Sequence, residues 1–258
     1  MKAIIVAAGR GRRLGPKTAN IPKCMVEVDG RPILHRQLDA LVSAGITEIV
    51  VIRGYLGDRI SAPGFPVRFV ENADWESNNI LSSLFFAEHE MDDGFVFSYS
   101  DIVFAPAYAR DVARSPADVA LVIDRRWRDT YQGRLQHPVA EAELASVKPT
   151  PTGPVVDRVG KLVVTPDQAA GEFIGLASFS RLGAAALKAT WAEAVSRGLE
   201  VPFGRAAHLR QAYLSDALNA MSDRGTRLAP VFIDGRWREI DTEEDLARAH
   251  TAVAGWSP

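Results

Sequence analysis

Apolar and amphipathic segments alternate along the first third of the chain. Residues 2–6 and 46–52 are apolar and rich in β-branched side chains, which predicts two buried strands. Between them, residues 33–42 place apolar side chains at helical spacing, and a further strand is expected at 67–70. This order predicts an α/β fold, a Rossmann-like doubly wound and mostly parallel sheet with helices on both faces.

The pattern loosens between residues 124 and 171, where prolines interrupt it. Valine-rich stretches at 155–156 and 162–164 indicate short antiparallel strands in this part of the chain. We therefore predict a small antiparallel insertion, 124–171, packed beside the main sheet within a single domain that spans 1–258. After it the core pattern returns, with strands expected at 173–179 and 228–233 and helices at 182–196, 209–221 and 243–253.

Composition narrows the class of protein. A chain of 258 residues with 47% hydrophobic content suits one large domain, and a net charge of −2 disfavours a protein that coats nucleic acid. A single cysteine, Cys24, excludes an intramolecular disulfide framework. No apolar run approaches the roughly 20 residues that span a bilayer. We therefore expect a cytoplasmic enzyme with neither nucleic acid nor a membrane as a partner.

The segment that follows the first predicted strand, residues 7–23, is rich in glycine and basic residues. Glycines let backbone N–H groups approach an anion, and the basic side chains neutralise it. Leu14 stands where a dinucleotide-binding GxGxxG motif needs its third glycine, and the GK[ST] ending of a P-loop is missing. The segment therefore favours a polyphosphate such as a triphosphate, with a solvated basic turn as the alternative.

This segment, quoted as Ala7-Ala8-Gly9-x-Gly11-x-Arg13-Leu14 with Pro16 and Pro22-Lys23, resembles the signature of nucleotidyltransferases that make sugar nucleotides and related activated head groups. Further motifs of that superfamily follow in order: Gly54-Tyr55, Asn72, Ser77-Asn78-Asn79, Ser82-Ser83-Leu84, Ser100-Asp101, Glu239-Ile240-Asp241-Thr242 and Asp245-Leu246. Together they are similar to the branch that includes phosphocholine and phosphonate cytidylyltransferases. The resemblance covers nearly the whole chain.

Two aspartates are the candidate metal ligands. Asp101 ends a predicted strand, at the edge where open α/β sheets bind their ligands. Asp241 could equally be a helix N-cap with Glu244 at the capping-box position, and spacing alone favours that interpretation. The resemblance instead implies that Asp241 is the second metal ligand and that the cofactor is Mg²⁺, which prefers oxygen ligands.

The resemblance also implies the reaction. A phosphonate or phosphate oxygen would attack the α-phosphate of CTP in line, and pyrophosphate would leave, with Lys23 and Arg13 as catalytic residues. The predicted nucleotide-binding residues are Ala7, Ala8, Gly9, Gly11, Arg12, Ser77, Asn78, Asn79 and Ser82. Capping of a helix would explain one of the polar residues at 77–79 but not the whole run. Arg12 stands where the family often has threonine, and its role stays open.

Residues for the second substrate are expected mainly around the insertion. The predicted acceptor-binding residues are Arg126, Arg128, Tyr131, Arg134, Glu172, Tyr213 and Asp216. Arginines could grip a small dianion, whereas aromatic and acidic residues could receive a quaternary ammonium. Ser215 departs from the tyrosine–acid–aspartate pattern of the family, which favours a smaller or more acidic phosphonate. The five histidines show no ligand spacing and are interpreted as structural or surface residues.

We therefore predict a cytidylyltransferase that transfers CMP from CTP to a small phosphonate, or to a phosphocholine-like acceptor. One alternative is a sugar-1-phosphate nucleotidyltransferase that uses UTP, dTTP or GTP. Another is a non-catalytic nucleotide-binding regulatory module. The sequence does not decide the oligomeric state, for which a homodimer is one option.

Overall fold

The computed structural model describes residues 1–254 and 256. The strands, in chain order, are β1 (Lys2–Ala7), β2 (Glu27–Val28), β3 (Arg31–Pro32), β4 (Ile49–Arg53), β5 (Val67–Glu71), β6 (Phe95–Tyr99), β7 (Ile102–Phe104), β8 (Val119–Asp124), β9 (Glu143–Lys148), β10 (Val155–Lys161), β11 (Gly171–Phe179), β12 (Leu228–Ile233) and β13 (Trp237–Glu239). The α-helices are α1 (Ile33–Ser43), α2 (Ile80–Leu84), α3 (Pro106–Ala113), α4 (Trp127–Tyr131), α5 (Arg181–Arg197), α6 (Leu214–Asp223) and α7 (Glu243–Val253).

The main sheet is built around β1, which pairs in parallel with β4 on one side and β6 on the other. β5 continues the parallel part beyond β4, and β8 pairs in parallel with β12. β11 joins the two groups, because it runs antiparallel to β6, β8 and β9. The predicted α/β class is confirmed, with β11 as an antiparallel member of the sheet.

Both faces of the sheet are covered by helices, as the continuous apolar strands require. Along β1, Ile4 and Val6 pack into the cluster that contains residues of α2, α5 and α6. Ala3 and Ile5 point to the opposite face, into the cluster that contains residues of α1 and α3. Because β1 and β6 are parallel, their carboxyl ends lie at the same edge of the sheet.

The insertion differs from its prediction in where it packs. β9 and β10 form the expected antiparallel pair, but β9 also hydrogen-bonds to β11, so the two strands extend the main sheet instead of lying beside it. The valine-rich stretch at 162–164 is a turn and not a strand. Leu162 has a φ of 56°, and this left-handed conformation ends the extended backbone of β10.

The helix predicted at 209–221 begins later than expected. Leu209–Gln211 is a short 3₁₀ turn, and α6 starts at Leu214. Ala212 and Tyr213 between them have extended backbone, which separates the two segments. Among residues 1–254 and 256, no helix is both long enough and apolar enough to cross a bilayer.

Candidate active site

A cavity of about 320 Å³ opens at the carboxyl ends of β1 and β6. The glycine-rich segment forms one side of it through Gly9, Gly11 and Arg12. Residues of β9, β10, β11 and β13 form the other side. Ligands of open α/β sheets bind at this edge, so the sheet places the cavity where a nucleotide site is expected.

Two short strands bring the candidate metal ligands together. β7 and β13 pair antiparallel, with Ile102 opposite Glu239. The Ile240 N–H donates to the Asp101 carbonyl oxygen at 2.8 Å, which ties the two chain segments together beside the cavity. Asp101 and Asp241 both line the cavity as a result, although they are far apart in sequence.

Lys23 lies between these two carboxylates. Its side chain is largely buried, and Nζ donates to Asp101 Oδ2 at 2.7 Å and to Asp241 Oδ1. Arg13 donates to the other oxygen of Asp241 from Nη2 at 2.5 Å. The result is a compact array of two cations and two anions at the floor of the cavity.

Gly11 is required for this placement of Lys23. Its φ of 65° lies in the left-handed region, and a Cβ at this position would come within 2.8 Å of Lys23 Cδ. A larger residue at position 11 would therefore strain the backbone and push the lysine away from the carboxylates. The glycine of the motif thus positions the ammonium as well as opening the loop.

The charges of the array stabilise one another. Burial lowers the pKa of Lys23, but the attraction of Asp101 and Asp241 outweighs it and leaves the pKa raised. Burial likewise raises the pKa of Asp241, yet Lys23 and Arg13 hold it well below its usual range. Both groups are therefore charged at neutral pH, and Lys23 is suited to electrostatic stabilisation and not to proton abstraction.

The predicted nucleotide-binding residues separate into two groups. Gly9, Gly11, Arg12 and Asn79 line the cavity, whereas Ala7 and Ala8 are buried where β1 ends. Asn79 also caps α2, because its side chain accepts from the Ile80 N–H at 2.9 Å.

The other predicted polar residues lie outside this cavity. Ser77 donates to the Asp74 carbonyl, and Asn78 and Ser82 border a second hollow of about 240 Å³. In addition, Asn78 exchanges hydrogen bonds with Asn72, at 3.0 and 3.1 Å.

The predicted acceptor-binding residues also fall into groups that differ in their position relative to the cavity. Glu172 and Tyr213 line the cavity, and Tyr131 lies behind Glu172, donating its hydroxyl to Oε1 at 2.7 Å. Arg134 is buried behind the site, where Nε donates to Asp245 at 2.6 Å.

Three more of the predicted acceptor residues are placed away from the cavity. Arg126 pairs with Asp129 at 2.6 Å on the surface, and Arg128 donates to the Pro166 carbonyl. Asp216 caps α6 by accepting from the Tyr213 N–H at 2.9 Å. The structure thus gives each of these residues a local partner.

Several charged residues of the cavity are absent from the sequence-based prediction. Glu141, Glu143, Lys161 and Glu239 all line it. Glu239 belongs to one of the quoted motifs, but the others are isolated polar residues in the irregular part of the chain. Glu141 ends a 3₁₀ turn, Glu143 begins β9 and Lys161 ends β10, so their place at the cavity depends on strand register, for which the sequence carries no local signal.

His137 is a further residue that the spacing of histidines did not single out. It is fully buried, with Nε2 3.3 Å from Glu239 Oε2 and Nδ1 3.6 Å from Asp241 Oδ2. One ligand atom from each of His137, Glu239 and Asp241 lies within 4.8 Å of the others. The histidine therefore lies beside Asp241 Oδ2, the oxygen that Arg13 also contacts, whereas Lys23 contacts Oδ1.

The oxygens of Asp101 and Asp241 suit a hard cation. Asp101 Oδ1 is buried and has no hydrogen-bond partner within residues 1–254 and 256, so one acceptor of this pair is free. Mg²⁺ prefers carboxylate oxygens and retains bound waters, whereas an imidazole nitrogen is a better ligand for transition metals. The donor set therefore fits Mg²⁺ on the two aspartates, with His137 beside Asp241.

The Glu172 carboxyl group makes the folding stability of the chain depend on pH. Burial raises its pKa to about 8, against the opposing effects of the Tyr131 hydroxyl and Arg134 and with a further increase from Asp124 and Glu143. The folded chain keeps a proton there that the unfolded chain releases near 4.5, so this group's contribution to stability falls as pH rises from about 5 to 8.

We expect the Glu172→Gln variant to lose less stability than the wild type over that pH range. The difference between the two should change by up to about 1.4 kcal/mol per pH unit. Urea unfolding at pH 5, 6, 7 and 8, each paired with the wild type, measures it. Parallel pH curves for the two proteins would contradict the assigned pKa.

Comparison with known proteins places this chain in a family. The profile of the family described as "MobA-like NTP transferase domain" matches residues 3–240. The chain belongs to this family of NTP transferases. It is accordingly a nucleotidyltransferase, which confirms the predicted enzyme class and disfavours a non-catalytic module.

Its curated relatives include several cytidylyltransferases. This NTP transferase is 30% identical over 255 residues to CTP:phosphoglutamine cytidylyltransferase of Campylobacter jejuni, with 95% of this chain and 98% of that protein covered. It is 35% identical over 117 residues to choline-phosphate cytidylyltransferase of Streptococcus pneumoniae, which covers 45% of this chain and 51% of the other. A UTP–glucose-1-phosphate uridylyltransferase of Haloferax volcanii is 34% identical over 126 residues, covering 46% and 51%.

Solved structures share the fold. A CTP:phosphocholine cytidylyltransferase from Streptococcus pneumoniae superposes with a TM-score of 0.74 at 20% identity, covering 98% of each chain. An inositol-1-phosphate CTP transferase from T. maritima gives a TM-score of 0.72 at 21% identity, covering 100% of this chain and 98% of the other. The predicted nucleotidyltransferase fold is thereby confirmed.

Proposed function

We propose that this NTP transferase moves CMP from CTP to a phosphate or phosphonate oxygen of a small acceptor. The observation that carries the proposal is the array of Lys23, Arg13, Asp101 and Asp241 beside the glycine-rich segment. At one end of the cavity, the two cations would neutralise a triphosphate and the two carboxylates would bind its metal ion. The choice of CTP is supported by the cytidylyltransferases among the relatives.

The proposed reaction needs no proton transfer by the protein. An acceptor oxygen that is already ionised forms a bond to the α-phosphorus, and the bond from that phosphorus to the bridging oxygen of pyrophosphate breaks in line. The bonding electrons leave with pyrophosphate, and no general base is needed because the attacking oxygen carries no proton. Catalysis then depends on alignment and on neutralising the charge that develops, which Lys23 and Arg13 would supply.

Asp101 and Asp241 would hold Mg²⁺. When bound, the ion would neutralise phosphate charge and help to fix the triphosphate for attack. The protein's own part is to keep both aspartates ionised, and the depressed pKa of Asp241 is consistent with that role.

A pyrophosphate-release assay tests the proposal. CTP, UTP, dTTP and GTP are each combined with phosphocholine, 2-aminoethylphosphonate, phosphoethanolamine, phosphoserine, phosphoglutamine and glucose-1-phosphate. We expect turnover with CTP and a small phosphate or phosphonate. Turnover with UTP, dTTP or GTP and the sugar phosphate would instead establish the sugar-nucleotide alternative, which the uridylyltransferase relative supports. Tight binding of CTP without turnover of any acceptor would contradict the proposal.

A further inference from the structure

Gln37 on α1 contacts the turn that contains Asp101. β6 ends at Tyr99 and β7 begins at Ile102, so Ser100 and Asp101 form the turn between the two strands. The amide nitrogen of Gln37, Nε2, donates to the Tyr99 carbonyl oxygen at 2.8 Å and to the Ile102 carbonyl oxygen at 2.6 Å. A single side chain therefore holds the backbone on both sides of Asp101.

The two carbonyl partners determine the orientation of the Gln37 amide. A carbonyl oxygen only accepts, so the NH₂ group must face the turn, because the reverse orientation would place oxygen against oxygen. Gln37 is 1% exposed, and its Oε1 is buried without a hydrogen-bond partner among residues 1–254 and 256. An unpaired buried acceptor is costly, and a methionine of similar length would avoid that cost. What distinguishes the glutamine is its pair of donors to the turn.

The turn is also held by β13 and by the end of β6. The Asp101 carbonyl oxygen accepts from the Ile240 N–H at 2.8 Å, and the Tyr99 carbonyl oxygen has a second donor in the Ser98 hydroxyl at 2.9 Å. Gln37 supplies the link from the turn to α1, and α1 packs against both β7 and the 3₁₀ turn Lys23–Met25. The glutamine therefore relates the backbone at Asp101 to the helix that supports the Lys23 segment.

The position of this turn decides where the Asp101 carboxylate lies. Its Oδ2 accepts from Lys23 Nζ at 2.7 Å, and its Oδ1 is the unpaired oxygen of the candidate Mg²⁺ site. Mg²⁺ requires nearly ideal octahedral geometry with oxygen distances of about 2.1 Å, so a small displacement of a ligand weakens its binding. Partners that orient a metal ligand typically contribute about 10- to 100-fold to metal affinity.

Resting on the proposed function, in which Asp101 binds Mg²⁺, we propose that Gln37 is a positioning residue for this aspartate. It acts through the carbonyl groups of Tyr99 and Ile102, since it does not belong to the residues that line the cavity. Its two donated hydrogen bonds keep the turn where the Asp101 carboxylate can contact both Lys23 and a metal ion.

The first measurement uses the intact chain without metal or nucleotide. Amide hydrogen exchange, resolved by NMR, is followed at the Ile240 N–H, which donates to the Asp101 carbonyl. The reference is the Asn72 N–H, which donates to the Arg53 carbonyl at 2.8 Å. Gln37→Met removes both donors and keeps the length of the side chain. We expect it to speed exchange at Ile240 about tenfold relative to Asn72, because the turn opens locally, whereas global destabilisation would speed both.

The second measurement is calorimetric titration with Mg²⁺ in the presence of the non-hydrolysable α,β-methylene analogue of CTP. Gln37→Met should weaken Mg²⁺ binding about 10- to 100-fold. Gln37→Asn keeps the amide but is one methylene shorter, so its affinity should lie between that of Gln37→Met and the wild type. Leu41→Ala is the matched control, because it removes buried atoms from α1 and leaves both hydrogen bonds of Gln37 in place. It should lower thermal stability and preserve the Mg²⁺ affinity and the exchange ratio.

An unchanged exchange ratio or an unchanged Mg²⁺ Kd in Gln37→Met would overturn the proposal. Neither measurement depends on turnover, so both separate this inference from the proposed function. A wild type that binds Mg²⁺ but turns over no acceptor would contradict only the cytidylyltransferase assignment, and the comparison of Kd values would still decide the role of Gln37. A wild type that binds no Mg²⁺ beside the nucleotide analogue would contradict the metal site and this inference together.

Discussion

Replacing Lys23 with alanine is expected to slow turnover about 10²- to 10³-fold, as the loss of one preorganised charge-stabilising donor typically does. The reason lies in its position: the ammonium is buried between Asp101 and Asp241 at the end of the cavity that would hold the triphosphate. A buried charge acts in a medium less polarisable than water, so its effect on developing negative charge is large. Initial rates of pyrophosphate release over a range of CTP concentrations separate kcat from KM.

Folding must be monitored in the same experiment. Lys23→Ala leaves two carboxylates close together without the ammonium that joins them, and this repulsion destabilises the fold as well. Lys23→Met keeps the aliphatic part of the side chain, and thermal unfolding of both variants reports the loss of stability. Lys17→Ala provides a matched control, because Lys17 is exposed in the neighbouring 3₁₀ turn, Arg12–Thr18, and lies outside the cavity. Near-normal turnover of a folded Lys23 variant, with unchanged substrate affinity, would exclude the assigned role.

The parallel part of the fold could be predicted from the sequence because its signals are local. Buried strands such as β1 and β4 are continuous apolar runs, and α1 shows helical spacing. The glycine-rich segment likewise predicts a loop at the end of the first strand. These features depend on neighbouring residues, and each was placed within a few positions of its observed bounds.

The acceptor side could not be predicted in the same way, because it depends on pairing between distant strands. Glu143 and Lys161 become neighbours only through the register of β9 against β10. The stretch at 162–164 looks like a strand by composition, yet a left-handed residue at Leu162 makes it a turn. A polar residue in a short strand gives no local indication of which cavity it faces.

The polar residues at 77–82, on the nucleotide side, also have positions that depend on contacts with a distant part of the chain. Their backbone hydrogen-bonds to a segment distant in sequence. The Asn79 N–H donates to the Arg210 carbonyl oxygen at 2.8 Å, and the Leu81 N–H donates to the Ala212 carbonyl oxygen at 3.1 Å. That contact turns Asn79 towards the cavity while Asn78 borders the second hollow. Three consecutive polar residues therefore do not share one function, although the motif presents them together.

Asp241→Asn is expected to have an effect as large as the loss of Lys23, and to weaken Mg²⁺ binding as well. The asparagine is nearly isosteric, but it lacks the charge that now attracts Lys23, Arg13 and a metal ion. Loss of a group that only orients a ligand typically weakens metal affinity about 10- to 100-fold, and loss of a direct ligand should exceed that. We expect turnover to fall about 10²- to 10³-fold.

The two consequences are measured separately. Calorimetric titration with Mg²⁺ in the presence of the α,β-methylene analogue of CTP gives metal affinity without turnover, and pyrophosphate release gives the rate. Glu243→Gln is the matched control, because it removes one carboxylate from the exposed first turn of α7, two residues along the chain. If Asp241 were only a helix cap, its variant would lose stability and keep its Mg²⁺ affinity. The observed cap favours the metal role, because Thr242 is the N-cap of α7 and pairs reciprocally with Asp245, so Asp241 is free to face the cavity.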